Sequence, residues 1–456
     1  MKSNYKERLY LSSPFLIKRL LANAEAIKRN HYRHASDYNT LLKSYMESNP
    51  LIDGIPDVEI LDRLKTLLAY VKKNTVFYRD YLCDLSDVSE LSQMPLLRKE
   101  DIRNNRETLK VDKVSSGTLL MGVTSGSTGT PVSFYTDKKS LTHSRAYLDS
   151  FKHLHGITNK TKTARLSGIK VVPLEQKDPP FWLYIDIFRQ LQCSVLHIDR
   201  NTVSSYIDAF TNYGIKHGNG YASGWLFLAQ AAIEANTALP QFDTIITDSE
   251  GLTPDEHDFL ERAFRCRVFQ TYGLGEVDDV AIMCQARNYH IMQGHCIVEI
   301  VDDSGQPLPD GCEGNIVVTD LDSYNFPFIR YETGDIGVRS RNPCVCGWKS
   351  PYLTSIVGRV DDYLLKSDGR KIGRLSHIMK PAKGVLKSQL VQTDYDALHI
   401  RVVADEGFRS ETMNDVIDNA RTYIGNMNIT WELTDQLERT SSGKIKYVIR
   451  RFNRII

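Results

Sequence analysis

Ten residues, Gly122-Val-Thr-Ser-Gly-Ser-Thr-Gly-Thr-Pro131, hold three glycines and five hydroxyl side chains. Glycine lets backbone N–H groups approach an anion closely, and Ser and Thr add hydroxyl donors. The apolar run Leu119 to Met121 leads in and an apolar-aromatic run follows, so the segment reads as strand, polar loop, extended piece. Such a loop suits a polyphosphate. It lacks the Gly-Lys-Ser/Thr ending of a Walker loop, and on composition alone a mobile linker is an equal reading.

Other chemistry-bearing residues follow apolar strands. Phe242-Asp-Thr-Ile-Ile-Thr-Asp248 has a buried-strand pattern and ends at Ser249-Glu-Gly251. Thr253-Pro-Asp-Glu256 then supplies an N-cap, a first-turn proline and a capping-box glutamate, predicting a helix to about Phe264. Cys266 to Tyr272 is the next strand and runs into Tyr272-Gly-Leu-Gly-Glu276. A strand–helix–strand unit of this length predicts parallel strands, with ligands beyond their carboxyl ends.

The elements around this unit are legible at coarse grain. Residues 1 to about 110 read as helical, with Leu61, Leu64, Leu67, Leu68 and Val71 at helical spacing. Phe15, Leu16, Ile17, Leu20 and Leu21, with Lys18 and Arg19, suit a helix packed on the body in preference to one on a membrane surface. From about residue 297 the pattern turns to β, with Ile297–Val301 and Asn315–Thr319 flanking a turn-rich segment. Beyond Gly358 a smaller α+β unit is expected, with the alternating run Ala397 to Val403 and a helix near 410–424. The expected organisation is a helical part of a large domain at 1–110, a binding core at 111–358 and a mobile C-terminal domain at 359–456.

Composition narrows the class. The 456 residues are 41% hydrophobic and 25% charged with net charge +1, so neither disorder nor a global attraction to nucleic acid or acidic membrane is expected. No apolar run approaches the roughly 18 residues that span a bilayer. Eight cysteines in so long a chain do not make a disulfide scaffold, and a cytoplasmic protein is expected.

Five signals occur in order: the loop at 124–131, Tyr272 to Glu276, Arg330-Tyr-Glu-Thr-Gly-Asp335, Gly358-Arg-Val-Asp-Asp362 and Ser442-Gly-Lys444. Together they resemble the motifs of the adenylate-forming superfamily of acyl-CoA synthetases, adenylation domains and luciferases. Tyr78-Arg-Asp-Tyr81, Met94 to Asp101 and Thr319 to Tyr331 are similar to the phenylacetate–CoA ligase branch, above all its CapK-like members of capsular polysaccharide biosynthesis. The resemblance covers nearly the whole chain. It implies an α/β fold: a large N-terminal domain with parallel sheets and a β-subdomain, then a small C-terminal α+β domain.

The resemblance also implies an ATP- and Mg²⁺-dependent ligase. A carboxylate attacks the α-phosphate, giving an acyl adenylate and pyrophosphate, and the protein must position the attack and neutralise developing charge. Thr124, Ser125, Gly126, Ser127, Thr128 and Gly129 would cradle the phosphates, Thr128 counting among the catalytic groups. Glu276 would bind Mg²⁺. Ser249, Glu250, Gly251, Tyr272 and Gly273 would border the nucleotide, with Tyr272 against adenine. Asp335 would accept from the ribose hydroxyls, Arg359 would contact ribose or phosphate, Asp361 would be the domain hinge and Lys444 would act on the reacting carboxylate. Taken singly, each has a plain alternative, such as a loop carboxylate for Glu276 or a tail lysine for Lys444. Gly275 replaces the threonine usual before the glutamate, and the loop lacks the lysine of many acyl-CoA synthetases.

A metal site is implied as well. Cys284, His290, Cys344 and Cys346 would ligate a structural Zn²⁺, with His295 and Cys296 as substitutes. The partners expected are a small carboxylic acid and an acyl acceptor, by default coenzyme A, otherwise an amine or a carrier-protein thiol. A non-catalytic nucleotide-binding protein is the alternative class. Neither nucleic acid nor a transmembrane segment is expected, and the chain would be a monomer or homodimer. Phe181-Trp-Leu-Tyr184 and Gly220-Tyr-Ala-Ser-Gly-Trp225 either line the acid pocket or pack helices.

Overall fold

The structure is a computed structural model. It describes residues 9–34, 37–80, 85–115, 117–123, 133–169, 171–173, 175–357, 364–365, 371–372, 375–379, 382, 384–424, 427–439 and 445–452. The residues expected to cradle phosphate (124–129), Arg359, Asp361 and Lys444 lie outside these.

The four longest helices of the N-terminal part are α1 (Phe15–Arg33), α2 (Tyr38–Ser48), α3 (Asp57–Asn74) and α4 (Lys99–Leu109). In α3 the heptad-like run Leu64, Leu67, Leu68 and Val71 is buried, as its spacing predicts. Helix α1 lies on the body. Asn23 Nδ2 donates to the Tyr184 carbonyl at 3.1 Å, and Arg19 pairs with Asp186 at 3.0 Å. Its outer side keeps Leu16 and Leu20 70% and 71% exposed. Among the described residues no helix is long and apolar enough to cross a membrane.

Strands β1 (Leu119–Val123) and β2 (Ser133–Asp137) form an antiparallel hairpin around residues 124–132. Helix α5 (Lys138–Leu154) follows, capped by the Asp137 carboxylate on the Lys139 N–H. Then come β3 (Thr163–Ser167), β4 (Trp182–Ile185), β5 (Gln190–Ser194), α6 (Val203–Tyr213), β6 (His217–Tyr221), α7 (Ala222–Glu234), β7 (Thr244–Asp248), α8 (Pro254–Phe264) and β8 (Arg267–Leu274). The predicted unit is present. β7 and β8 are parallel, and the Thr253/Glu256 capping box starts α8.

The next strands are β9 (Asp278–Met283), β10 (Tyr289–Ile291), β11 (Cys296–Val301), β12 (Glu313–Asp320), β13 (Tyr331–Ser340) and β14 (Tyr352–Val357). One sheet runs β11-β12-β13-β14-β10-β9-β8-β7-β6-β3-β5-β4. β8 is its pivot. Its first residues, Arg267 to Gln270, pair parallel with β7, and Thr271 to Leu274 pair antiparallel with β9. Tyr272 therefore stands where a parallel α/β sheet passes into an antiparallel β-subdomain.

The parallel part has two unlike faces. One buries Ala164, Leu166, Leu191, Cys193 and Ile245 against α6, α7 and α8, with Phe181, Tyr206, Phe210, Trp225, Phe242 and Phe264 in the same core. Phe181 and Trp225 are 1% and 0% exposed, so the aromatics at 181 and 225 pack helices and do not line an acid pocket. The other face carries Arg165, Gln190, Gln192 and Asn219 toward a chamber.

The C-terminal region comprises β15 (Leu364–Leu365), β16 (Lys371–Ile372), β17 (Val385–Asp394), β18 (Ala397–Ala404), α9 (Thr412–Ile424), β19 (Asn428–Leu433) and β20 (Val448–Arg450). Its four-stranded sheet, β19-β18-β17-β20, has a core of its own that includes Leu390, Leu398, Ile400, Val402, Val416 and Ile424. It touches the large domain through Lys387 Nζ, 3.0 Å from Glu256 Oε1, and Arg439, whose guanidinium lies 4.9 Å from the Phe227 ring centroid.

Candidate active site

The chamber has a volume of ≈ 2640 Å³, well above the few hundred to ~1,000 Å³ of a single small-ligand pocket. Its lining gathers the carboxyl ends of the parallel strands (Ser249, Glu250, Gly251 and Tyr272), Asp335 from β13, and Lys387, Arg439 and Lys446 from the C-terminal region. Ligands in open α/β sheets sit in such a crevice.

Tight backbone geometry sets the centre. A Cβ on Gly273 would lie 2.4 Å from the Asp278 carbonyl oxygen, so only glycine lets β8 fold back so closely. Asp278 closes that turn at φ 55°. The hairpin sends Tyr272 and Glu276 in different directions. Tyr272 Oη donates to Asp335 Oδ2 at 2.8 Å, joining two residues 63 positions apart. Glu276 is 3% exposed and accepts from the Tyr331 hydroxyl at Oε1, 2.7 Å away. A carboxylate that is buried and held by one hydroxyl is not a solvated loop group.

The Ser249–Gly251 loop is braced from two sides, both through Glu250. Glu250 Oε2 accepts the Ser223 N–H at 2.8 Å, closing the N-terminus of α7. Gln270 Nε2 donates to the Glu250 carbonyl at 3.2 Å, and Tyr289 Oη donates to Gln270 Oε1 at 2.8 Å. The sequence offered no sign of Ser223, Gln270, Tyr289 or Tyr331 in these roles, because each acts across strands.

At the deep end α5 places Arg145, Asp149 and Lys152 along one face, at i, i+4 and i+7. Asp149 is held by Arg145 Nε at 2.9 Å, Lys152 Nζ at 3.1 Å and the Tyr38 hydroxyl at 2.8 Å. Burial opposes its charge, but Arg145 and Lys152 outweigh that and keep its carboxyl well below the usual range. Asp278 and Asp279 face the same space. Burial, and then Asp278 beside it, push the Asp279 carboxyl up to about 7. The i, i+4, i+7 spacing on α5 was visible in the sequence as a charged helix face, but nothing local said that this face turns inward.

The four expected zinc ligands come together. Cys284, His290, Cys344 and Cys346 present donor atoms all within 4.8 Å of one another. Cys284 Sγ is 3.9 Å from Cys344 Sγ, and Cys346 Sγ is 3.4 Å from His290 Nε2. A tetrahedron with Zn–S of about 2.3 Å and Zn–N of about 2.0 Å has edges of roughly 3.8 and 3.5 Å, so the donor set fits. His290 Nδ1 lies 2.9 Å from the Ser350 carbonyl, which turns Nε2 inward as an acceptor. Burial pulls His290 down to about 4, so it is neutral at pH 7. Asn288 Nδ2 donates to Cys344 Sγ at 3.3 Å and the Trp348 N–H to Cys346 Sγ at 3.4 Å. His295 and Cys296 are not part of this group. Cys296 Sγ contacts the Val280 carbonyl, and His295 Nδ1 contacts Asp322 Oδ2 at 3.0 Å.

Comparison with known proteins places this architecture. Residues 63–320 match the family model described as AMP-binding enzyme, and residues 364–451 match the CapK C-terminal domain. Over 454 residues the chain is 25% identical to Protein CapK of Staphylococcus aureus, spanning 97% of this chain and 98% of that protein. It is 24% identical over 340 residues to a phenylacetate-coenzyme A ligase of Thermus thermophilus, spanning 67% of this chain and 70% of that one. Among solved structures, 2-hydroxyisobutyryl-CoA ligase in the postadenylation state with 2-HIB-AMP shares the fold, with a TM-score of 0.66 at 18% identity over 86% of this chain and 89% of that chain. The chain thus belongs to the AMP-binding enzyme family, on its CapK-like side next to the phenylacetate–CoA ligases, and is an ATP-using, AMP-forming ligase.

Proposed function

We propose that the enzyme activates a small carboxylic acid as its acyl adenylate and passes the acyl group to an acceptor, coenzyme A by default, within polysaccharide biosynthesis. The observation that supports it most is the meeting of Tyr272, Asp335 and the braced Ser249–Gly251 loop in one chamber at the switch from parallel to antiparallel pairing. In this reading Tyr272 borders adenine and, through its hydroxyl, orients Asp335 to accept from ribose. Thr124 to Gly129 hold the departing pyrophosphate and Arg359 contacts ribose or phosphate. Lys444 counters charge on the attacking carboxylate. Glu276, steadied by Tyr331, would hold Mg²⁺, which supplies charge neutralisation on the phosphates.

For acceptor attack the C-terminal region would turn about Asp361, breaking the Lys387–Glu256 pair and the Arg439–Phe227 contact. The Cys284, His290, Cys344 and Cys346 set would hold a structural zinc that clamps β9, β10 and the 343–347 loop. An amine or a carrier-protein thiol is the second acceptor reading, and its support is the relation to CapK, not to a named CoA ligase.

The test is pyrophosphate release from ATP across a panel of acids, with and without coenzyme A. Release that depends on the acid supports the reading, and its absence with every acid opposes it. Lys444→Ala should abolish adenylate formation yet largely spare transfer from a supplied acyl adenylate. Equal loss of both halves would sink the two-conformation scheme.

A further inference from the structure

A surface helix normally turns its apolar stripe to the core and its polar side to water. Helix α1 does the reverse. Leu16, Leu20, Ala24 and Ile27, at i, i+4, i+8 and i+11, lie along one exposed line, with Ile17 and Leu21 exposed beside them. Lys28 and His31 stand exposed at the C-terminal end of this face. The inward side is small and polar. Ala22 and Ala26 pack on the core of the parallel sheet. Asn23 Nδ2 donates to the Tyr184 carbonyl at 3.1 Å, its Oδ1 accepts the Asp186 N–H at 2.7 Å, and Arg19 pairs with Asp186 at 3.0 Å. These contacts cover the outer edge of β4, the last strand of the large sheet. Helix α1 is thus held to the body without its leucines. Contiguous exposed apolar side chains of this kind mark an interaction surface. The stripe also runs into the chamber wall, where Leu21 joins the half-exposed Ile169 and Ile187.

Charge says what covers this face. Helix α1 contains Lys18, Arg19, Lys28, Arg29 and Arg33 against Glu25 alone. Residues 1–33 together hold eight Lys and Arg against two Glu, while the whole chain is only +1. Positive charge is therefore concentrated in this segment, and the rest of the chain is net negative. A second copy docked on the same face would set these cations against themselves, because a two-fold interface pairs a patch with its own image. An anionic bilayer satisfies both features at once. Its acyl chains take the leucines and its headgroups take the cations. The helix is not long and apolar enough to cross the bilayer, so it would lie in the plane of the interface.

We propose that α1 seats the enzyme on an anionic lipid surface, with Leu16, Leu20, Ala24 and Ile27 in the boundary between headgroups and acyl chains. The chamber wall at Leu21 then faces the headgroups. This assignment concerns where the enzyme works, and it does not depend on which acid or acceptor it uses.

The test is co-sedimentation of the full-length enzyme with two kinds of vesicle. One is phosphatidylcholine alone, and the other is phosphatidylcholine with phosphatidylglycerol at about three to one. The variants are Leu16→Gln combined with Leu20→Gln, and Lys28→Glu. All three residues are exposed and lie outside the chamber lining. The wild type should bind the anionic vesicles at least about tenfold more tightly than the neutral ones, and less tightly as salt rises. The leucine pair should weaken binding to the anionic vesicles about tenfold or more. Lys28→Glu should weaken it about tenfold and leave binding to neutral vesicles unchanged. Thermal midpoint and pyrophosphate release without vesicles should stay at wild-type values in both variants.

Equal binding to the two vesicles, or binding to neither, overturns the proposal. Full binding by the leucine variant also overturns it, because basic charge alone would then hold the lipid. A lipid-free dimer in sedimentation equilibrium that the leucine variant dissociates assigns the face to a second copy instead. Absence of pyrophosphate release with every acid would oppose the ligase reading and leave this one standing.

Discussion

Two buried clusters in the β-subdomain look alike by distance and differ in chemistry. Cys284, His290, Cys344 and Cys346 form one, and His295, Asp320 and Asp322 form the other. In each, the possible ligand atoms lie within 4.8 Å of one another. In the first, three thiols meet a histidine that burial holds neutral, and no arginine or lysine pairs with it among the described residues. In the second, Asp322 already receives Arg63 at 2.8 Å, His295 at 3.0 Å and His143 at 3.1 Å. Burial opposes charge on His295, but Asp320 and Asp322 outweigh it and raise its pKa to about 9. The first cluster has donors without a cation. The second contains its own cations and would repel another. Proximity of ligand types does not make a metal site; the charge state of the group does.

The comparison breaks most visibly at the thiols. Cys346→Ser should lower bound zinc from about one per chain to well below that, read by elemental analysis of the purified protein. A wild-type chain that folds fully without metal would end the distinction between the clusters. Next in size, Asp322→Ala leaves the buried His295 facing only Asp320, 4.0 Å away, and takes from the part-buried Arg63 its carboxylate partner. It should cost about 3–5 kcal/mol in urea unfolding with no change in zinc content. A loss below about 1 kcal/mol would mean that the network holds nothing together.

The smallest effect is the pH response of His295. A histidine raised from about 6.5 to about 9 contributes stability that is complete below its unfolded pKa and lost as pH rises through about 9. The wild-type advantage over His295→Gln should therefore shrink between pH 7 and pH 10. The carboxylates acting on it are Asp320, Asp322 and Asp278; His143 and Arg63 pair with Asp322, and Ser140 donates to Asp320 Oδ2 at 2.5 Å. A constant advantage across that window would show that His295 is not charged in the fold.

Much of this molecule was legible in the chain. The capping box at Thr253 and Glu256, the apolar spacing in α3 and the alternation in β18 are local patterns with local causes. They placed the helices and strands because hydrogen bonding and periodic burial act over a few residues. The ordered motifs likewise pointed to an adenylate-forming fold, since its ligand loops follow strands that can be read one at a time.

Tertiary structure decided the rest. The aromatics of 181–184 and 220–225 carry no label saying which side of a sheet they occupy, and burial against α6, α7 and α8 took Phe181 and Trp225 into the core. The charged face of α5 would suit solvent equally well in sequence, but α1 and α2 cover it and turn it into a chamber wall. Tyr331 under Glu276 and Gln270 under Glu250 depend on strand register across the sheet. The residue types, their order and their local elements were thus set by the sequence itself. Which face looked inward, and which charges met, were set only when distant strands and helices came together, because burial and Coulomb interactions depend on the whole packed surroundings.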